Sequence, residues 1–306
     1  MNKIEGKTVL VTGPAGQIAF PLAARLAVDN EVWGFARFSD SASRRRCEDA
    51  GIKTCVVDLA DPDWSGLPER VDHLLHLAAA IEPGPDFDRS IRINGEGTGR
   101  VMSRFRDAES CLVMSASGVY ASPGDSAHAM LESDPLGGSP QPYAPTYCVS
   151  KIGQEAVARF ACEEFDLPTT IARMNVAYGD NGGYPAMLLE MIVAGRPIAI
   201  LPHASSCSMI HEDDIYAQTV GLLAAASKPA TIVNWGGDER VPIGDLCRYI
   251  GQRVGREVEI IENADGIHQY WQDPTRRIEL AGRCAVDWRT GVDRMIDARH
   301  PELLLS

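Results

Sequence analysis

The sequence predicts an α/β fold: a parallel, doubly wound sheet followed by a smaller C-terminal mixed α/β lobe. Three observations carry that reading. Short, unbroken apolar runs alternate with helical patterns along most of the chain. A glycine-containing turn joins the first apolar run to the first helical pattern, and a tyrosine and a lysine four residues apart open a later helix.

In chain order, Thr8-Val9-Leu10-Val11 has the continuous apolar character of a buried parallel strand. It runs into Thr12-Gly13-Pro14-Ala15-Gly16-Gln17-Ile18-Ala19 and then the helical pattern Phe20 to Ala27. Strand, glycine turn and helix together form a phosphate cradle, the opening unit of a Rossmann-type sheet. Gly13 permits the tight turn and Gly16 lets backbone approach a pyrophosphate. The helix start behind Ala15, Gln17 and Ile18 supplies N–H donors. Ala19 stands where a third glycine is usual, a position that serves helix–strand packing.

The second strand, Glu31 to Ala36, ends without the carboxylate that would bond the adenosine ribose hydroxyls of NAD. Arg37 follows instead. It offers a charge-assisted fork to a 2′-phosphate, or else it stacks on adenine or faces water. The sequence therefore favours NADP over NAD. Arg44-Arg45-Arg46 is read as a solvated helix face. Thr54 to Val57 is a third strand ending in Asp58-Leu59, where Asp58 either meets an adenine amino group or caps the next segment. Val71 to Ala80 contains a fourth strand, and its small residues Ala78 and Ala79, with Leu77, would let a ribose lie against backbone. His76 reads as a packed strand histidine and Asn94 as the opening residue of a helix.

A fifth strand, Cys111 to Met114, delivers Ser115 and Ser117 to the sheet end where ligands bind in open α/β folds. A Pro- and Gly-containing loop from Ser122 to Pro145 has the character of a site rim. Beyond it comes Tyr147-Cys148-Val149-Ser150-Lys151. Residues four apart share a helix face, and an ammonium beside a phenol favours the phenolate, lowering its pKa from about 10 toward neutrality. Such a tyrosine can exchange a proton with a carbonyl or alcohol oxygen. The same pair also arises by chance on helix surfaces. Leu167 to Arg173 and Thr231 to Trp235 read as the last two strands of the sheet, and His211 as the start of a helix through Ala226. Residues 1–174 with 211–236 are expected to form the cofactor-binding domain, and residues 175–210 with 237–306 the substrate lobe.

A formal net charge of -13 argues against non-specific nucleic-acid binding, which requires a basic surface. No apolar run reaches the roughly 18 residues of a membrane span. The eight cysteines show no C-x-x-C spacing and several sit in apolar runs, so buried free thiols are expected and no metal site is. The chain enters its first strand without a signal peptide, and a cytoplasmic location is the expectation.

Taken in order, the glycine turn, Asp58-Leu59, His76-Leu77-Ala78-Ala79, Asn94 with Gly97-Thr98, Tyr147 with Lys151, Arg173 with Asn175 and Tyr178-Gly179, and His211 with Asp213-Asp214 resemble the extended short-chain dehydrogenase/reductases, the NAD-dependent epimerase/dehydratase family. The resemblance implies an NAD(P)-holding Rossmann sheet under a substrate lobe. It makes Tyr147 the catalytic acid/base and Lys151 the residue that bonds the nicotinamide ribose. It adds Asn94 and Asn175 to the cofactor set and makes a homodimer, paired through the helix carrying Lys151 to Phe165, the expected assembly.

Two positions depart from the family pattern. The helper hydroxyl after strand five falls on Ala116, leaving Ser117, or less readily Ser115, to supply it. Cys207 stands where nucleotide-sugar members carry an arginine that grips a diphosphate; Arg173, Arg196 or Arg276-Arg277 would have to compensate. The leading expectation is accordingly a reductase or dehydrogenase for a small carbonyl or alcohol. A nucleotide-sugar epimerase or dehydratase is the alternative, and a non-catalytic cofactor sensor the third reading.

Overall fold

The computed structural model describes residues 3–125, 127–138, 141–202, 205–263, 266 and 269–303. The N-terminal part runs β1 (Thr8–Thr12), α1 (Ala19–Leu26), β2 (Glu31–Ala36), α2 (Ser41–Asp49), β3 (Lys53–Val56), β4 (His73–His76), α3 (Phe87–Ile91), α4 (Gly97–Arg104), β5 (Ser110–Ala116), α5 (Tyr147–Glu164) and β6 (Thr169–Met174). Then come β7 (Val176–Gly179), β8 (Gly182–Gly183), α6 (Tyr184–Val193), β9 (Ile198–Ile200), β10 (Ser206–Cys207), β11 (Met209–His211), α7 (Glu212–Ala224) and β12 (Thr231–Trp235). The chain closes with β13 (Val241–Pro242), α8 (Ile243–Arg253), β14 (Ile260–Glu262), α9 (Thr275–Ala281) and α10 (Trp288–Arg299).

Seven strands form one sheet in the order β12-β6-β5-β4-β1-β2-β3, and every pairing in it is parallel. The order reverses direction between β1 and β4, so the crevice at their C-terminal ends is where a ligand fits. Alternation along the strands feeds two cores. Val9 and Val11 pack beneath α1 and α7 with Leu22, Ile215 and Leu222. Leu10 faces the other side with Leu74, Val113, Val101 and Ala158 under α4 and α5. β5 is buried along its whole length, as a central strand covered on both faces must be.

A smaller C-terminal lobe has its own core of Leu188, Leu189, Ile192, Leu246, Ile250, Val292 and Met295, drawn from α6, α8 and α10. Its strands pair in short sheets, β10 with β13, β9 with β14, and β11 with β7 and β8. All eight cysteines are free thiols.

Two local expectations differ. Asn94 does not start a helix: it lies inside a π-helical turn, Arg92–Glu96, between α3 and α4. The Arg44–Arg46 stretch is more than a solvated face, because Arg44 Nε binds Glu48 and Thr54 (2.9 Å each) and Arg46 Nη2 donates to the Ala15 carbonyl at 2.8 Å.

Candidate active site

A cleft of about 400 Å³ opens over the C-terminal ends of β1, β2 and β4. It brings together Gly13, Ala15, Gly16, Gln17, Ile18, Arg37, Asp58, Leu59, Leu77, Ala78, Ala79 and Tyr147 from the sequence reading. Its floor is built from backbone. Gly13 N–H donates to Phe35 O (2.8 Å), and Gly13 has φ +66°, with a built Cβ only 3.2 Å from Ala78 Cα and Cβ. A side chain there would be strained and would close the gap between β1 and β4. α1 begins behind Ile18 with no side-chain cap and no acid in its first turn, so its leading N–H groups stay available to an anion. An extended, anionic dinucleotide fits this lining.

The cradle is held by a buried relay. Leu77 and Ala78 N–H donate to Thr12 Oγ1 (3.0 and 2.9 Å), which contacts His76 Nδ1 at 2.9 Å. Since Thr98 Oγ1 already donates to Asn94 O (2.7 Å), His76 Nε2–H is the donor in its 2.7 Å contact with Thr98, and Nδ1 is the acceptor from Thr12. Burial, and then the charge of Lys151, push the His76 pKa down to about 3, consistent with that neutral tautomer. His76 is the packed strand residue the sequence suggested.

α5 carries the tyrosine–lysine pair. Its inward stripe, Cys148, Lys151, Gln154, Glu155, Ala158, Ala161 and Cys162, follows helical spacing but includes three polar groups. Each has a partner. Gln154 Nε2 donates to Thr98 Oγ1 (3.1 Å). Glu155 is gripped by Arg173 through Nε and Nη2 (2.8 Å each) and accepts from Ser115 Oγ at 2.7 Å. Burial alone would raise the Glu155 carboxyl, yet Arg173 and Ser115 hold it below its ordinary value.

Lys151 is fully buried and donates from Nζ to Met114 O at 2.6 Å, with Nζ 5.9 Å from the centre of the Tyr147 ring. Burial lowers its pKa to about 7, opposed by Glu155. The half-buried Tyr147 phenol is pushed above its ordinary value by burial, then by Cys148 and Tyr143. Loss of solvation is the largest cause of both shifts, and the expected lowering of the tyrosine pKa by its lysine does not appear in this arrangement.

Several expected residues do not line the cleft. Asn94 spends its amide on Ala80 N (2.7 Å), Ala80 O (3.0 Å) and Ser150 Oγ (2.9 Å), and so shapes the cleft only through Ala80. Asn175 is taken by Tyr270 O (2.8 Å) and Ser208 N (2.9 Å). Lys151 lies behind the wall made by Met114 and Tyr147. Ser115 is on the opposite face of β5, bound to Glu155, which removes it as a helper hydroxyl. Ser117 is half-buried on a single 3-10 turn, Ser117–Val119, directly after Ala116. Asp58 makes the local cap weighed for it, Oδ1 accepting from Ala60 N (2.9 Å), and the residue also borders the cleft.

The sequence reading missed Met114 in β5, Ala80 and Ile81 beyond β4, and Ile93 in the π-helical turn; their only signal was apolar character. It also missed Ser150, which donates to Tyr147 O at 2.7 Å and accepts from Asn94. At the substrate side, Cys207 is fully buried within the lobe core. Arg173 is locked to Glu155, and Arg277, also fully buried, to Asp238 and Gly282 O. Neither replaces the missing arginine. Among the described residues no cluster suits a metal ion, and no helix is long and apolar enough to cross a membrane.

The family model for the NAD dependent epimerase/dehydratase family matches residues 9–234. Similar solved structures include a UDP-glucuronic acid 4-epimerase from Bacillus cereus in complex with UDP-glucuronic acid and NAD. It has a TM-score of 0.80 at 22% identity, covering 95% of this chain and 98% of that one. A UDP-N-acetylglucosamine 4-epimerase from Methanobrevibacter ruminantium M1, in complex with UDP-N-acetylmuramic acid, gives 0.80 at 17% identity, covering 96% and 99%. The Bordetella bronchiseptica enzyme WbmG, in complex with NAD and UDP, gives 0.77 at 18%, covering 96% and 94%. No curated protein matches the sequence. The family description spans the epimerase/dehydratase alternative, and the solved structures show a shared fold.

Proposed function

The chain belongs to the NAD-dependent epimerase/dehydratase family, and from that premise we propose that it works on a hydroxyl-bearing carbon of a small-molecule substrate, with Tyr147 exchanging the proton on the attached oxygen. Bound nicotinamide would supply the hydride acceptor or donor. The observation that carries the reading is Tyr147 on the cleft wall with a buried lysine one turn behind it. Gly13, Gly16 and the uncapped start of α1 would hold the pyrophosphate, and Ala78 and Ala79 would let a ribose approach backbone. The sensor reading leaves that pair without a task and is set aside.

The relatives favour a sugar epimerase or dehydratase, in which the cofactor returns to its starting state each turnover. Cys207 favours a second outcome, net reduction or oxidation of a smaller, less anionic compound. A buried thiol in an apolar core cannot pair a diphosphate, and unpaired buried charge is costly. Absorbance at 340 nm separates them. Product formed without net change in reduced cofactor supports the first, and stoichiometric consumption supports the second. Tyr147→Phe should abolish turnover under either outcome while cofactor still binds; full activity in that variant would refute the reading.

For the cofactor, NADP preference is supported by the exposed Arg37 beside the cleft and by the lack of a free carboxylate at the end of β2. NADPH should bind more tightly than NADH, and Arg37→Ala should narrow the gap; equal affinities in the unmutated protein would exclude the preference. Pairing through α5 is supported by its exposed Phe160 (65% accessible) and Val149 (41%), and a Phe160→Glu variant that remained dimeric by light scattering would count against that face.

A further inference from the structure

A side chain of the smaller lobe reaches the glycine turn itself. β7 and β8 form a hairpin whose turn is Asp180-Asn181, with Gly179 paired to Gly182. Asparagine is common in such turns because it accepts a positive φ, or because its amide closes the turn on its own backbone. Neither reason holds here. Among the described residues the non-glycine positions with positive φ are Phe38 and Asp166, and the Asn181 amide is spent on a residue 164 positions away. Its Nδ2 donates to Gln17 O at 2.7 Å, and its Oδ1 accepts from Gln17 Nε2 at 3.4 Å. From α10, Arg299 Nη1 donates to the Asn181 carbonyl at 3.4 Å.

Gln17 and Ile18 both line the cleft. A trans peptide is planar, and its C=O and N–H point in opposite directions. A Gln17 carbonyl held by Asn181 therefore turns the Ile18 N–H the other way, away from the lobe contact. Ile18 is the N-cap of α1, and among the described residues no protein acceptor meets its N–H. It heads the donors that a helix start offers to an anion. α1 is tied to the same lobe a second time, since Asp213 accepts from Arg25 of α1 and, at 2.7 Å, from Arg294 of α10. We propose that Asn181 is a positioning residue, which from the substrate lobe sets the Gln17–Ile18 peptide so that the Ile18 N–H is presented to the pyrophosphate of the bound dinucleotide. The proposal rests on the dinucleotide reading above and adds a reciprocal link: a ligand that fixes this peptide also holds the β7–β8 hairpin against the cradle.

Ligand-observed NMR titration with ADP-ribose, which carries the pyrophosphate, and with adenosine, which does not, tests it. Asn181→Ala should weaken ADP-ribose binding about three- to tenfold, the scale of one hydrogen bond, and leave adenosine within about twofold. Asn181→Gln, which keeps an amide donor, should recover part of the loss. Equal weakening of both ligands would make Asn181 only a brace on the lobe and overturn the proposal, as would unchanged affinity for ADP-ribose. Hydrogen exchange of the unmutated protein supplies a reading that needs no variant to fold. ADP-ribose should slow exchange of the backbone amides at 180–183, and a hairpin left unprotected by saturating ligand would likewise overturn the proposal. If the unmutated protein bound no ADP-ribose at all, the dinucleotide reading itself would fall, and the proposal with it.

Discussion

His76 should make folding stability sensitive to acid, by an amount that follows from its pKa shift. In the folded protein its pKa is driven from the ordinary 6.5 down to about 3 by burial and by Lys151. Between those values the unfolded chain binds a proton that the folded chain refuses, so stability rises with pH and is lost as pH falls through 6.5. From about pH 7.5 to about pH 5 the loss is about 2 kcal/mol, at about 1.4 kcal/mol per pH unit below 6.5. Carried to the folded pKa it approaches about 5 kcal/mol. Other groups titrate in this range, so the measurement is a difference. Urea unfolding followed by tryptophan fluorescence would compare the unmutated protein with His76→Gln, which can hydrogen-bond but does not titrate. At about pH 7.5 the variant should be less stable by about 1–3 kcal/mol, having lost part of the Thr12–His76–Thr98 relay. At about pH 5 that gap should shrink by about 2 kcal/mol. A gap independent of pH would refute the reasoning, because it would mean that the folded protein protonates His76 as readily as the unfolded chain does. Cofactor affinity of the folded protein should hold over that range, since His76 stays neutral until the pH nears about 3 and Nδ1 keeps accepting from Thr12, the residue that holds Leu77 and Ala78.

Three further outcomes follow from the same geometry. Ser115→Ala should cost about 1 kcal/mol of stability while leaving kcat nearly unchanged, because its hydroxyl serves Glu155, whereas Ser117→Ala should lower kcat about 10²-fold if Ser117 assists Tyr147; the reverse pattern would exchange their roles. Glu155→Ala should destabilise by about 3–5 kcal/mol, seen as a lower urea midpoint, because it strands the buried Arg173 without a counterion; a loss below about 1 kcal/mol would show that Arg173 finds another partner. Gly13→Ala should cost about 1–3 kcal/mol through its positive φ and its approach to Ala78, and should weaken cofactor binding about tenfold or more, read by titration; unchanged affinity would show that the turn tolerates a side chain.

Much of the scaffold was legible from local pattern alone. β2 and β12 coincide with the apolar runs that predicted them, and β1, β3, β5 and β6 differ by a residue or two at their ends. Most lie well inside the sheet, so apolar runs mark them strongly, although edge strand β3 is largely exposed and β6 carries the buried Arg173. The glycine turn was equally legible, because φ +66° at Gly13 and an approach of 3.2 Å to Ala78 leave little choice of residue. Ser115 and Ser117 were not separable in the same way. Which face of β5 a hydroxyl takes depends on its register, and its partner Glu155 stands 40 residues away.

Asn94, Asn175 and Arg46 follow the same logic. Each was read from its neighbours in sequence, and each has its polar atoms committed to groups brought close only by folding: Ser150 for Asn94, Tyr270 and Ser208 for Asn175, Ala15 for Arg46. The sequence by itself determined the doubly wound sheet, the glycine turn and the tyrosine–lysine pair, because these rest on short-range periodicity and on residues with narrow conformational or chemical requirements. Tertiary structure alone decided which polar side chains face the cleft and which are spent holding it open. It also decided the sign of the Tyr147 and Lys151 pKa shifts, since the loss of solvation that sets them is a property of the packed interior.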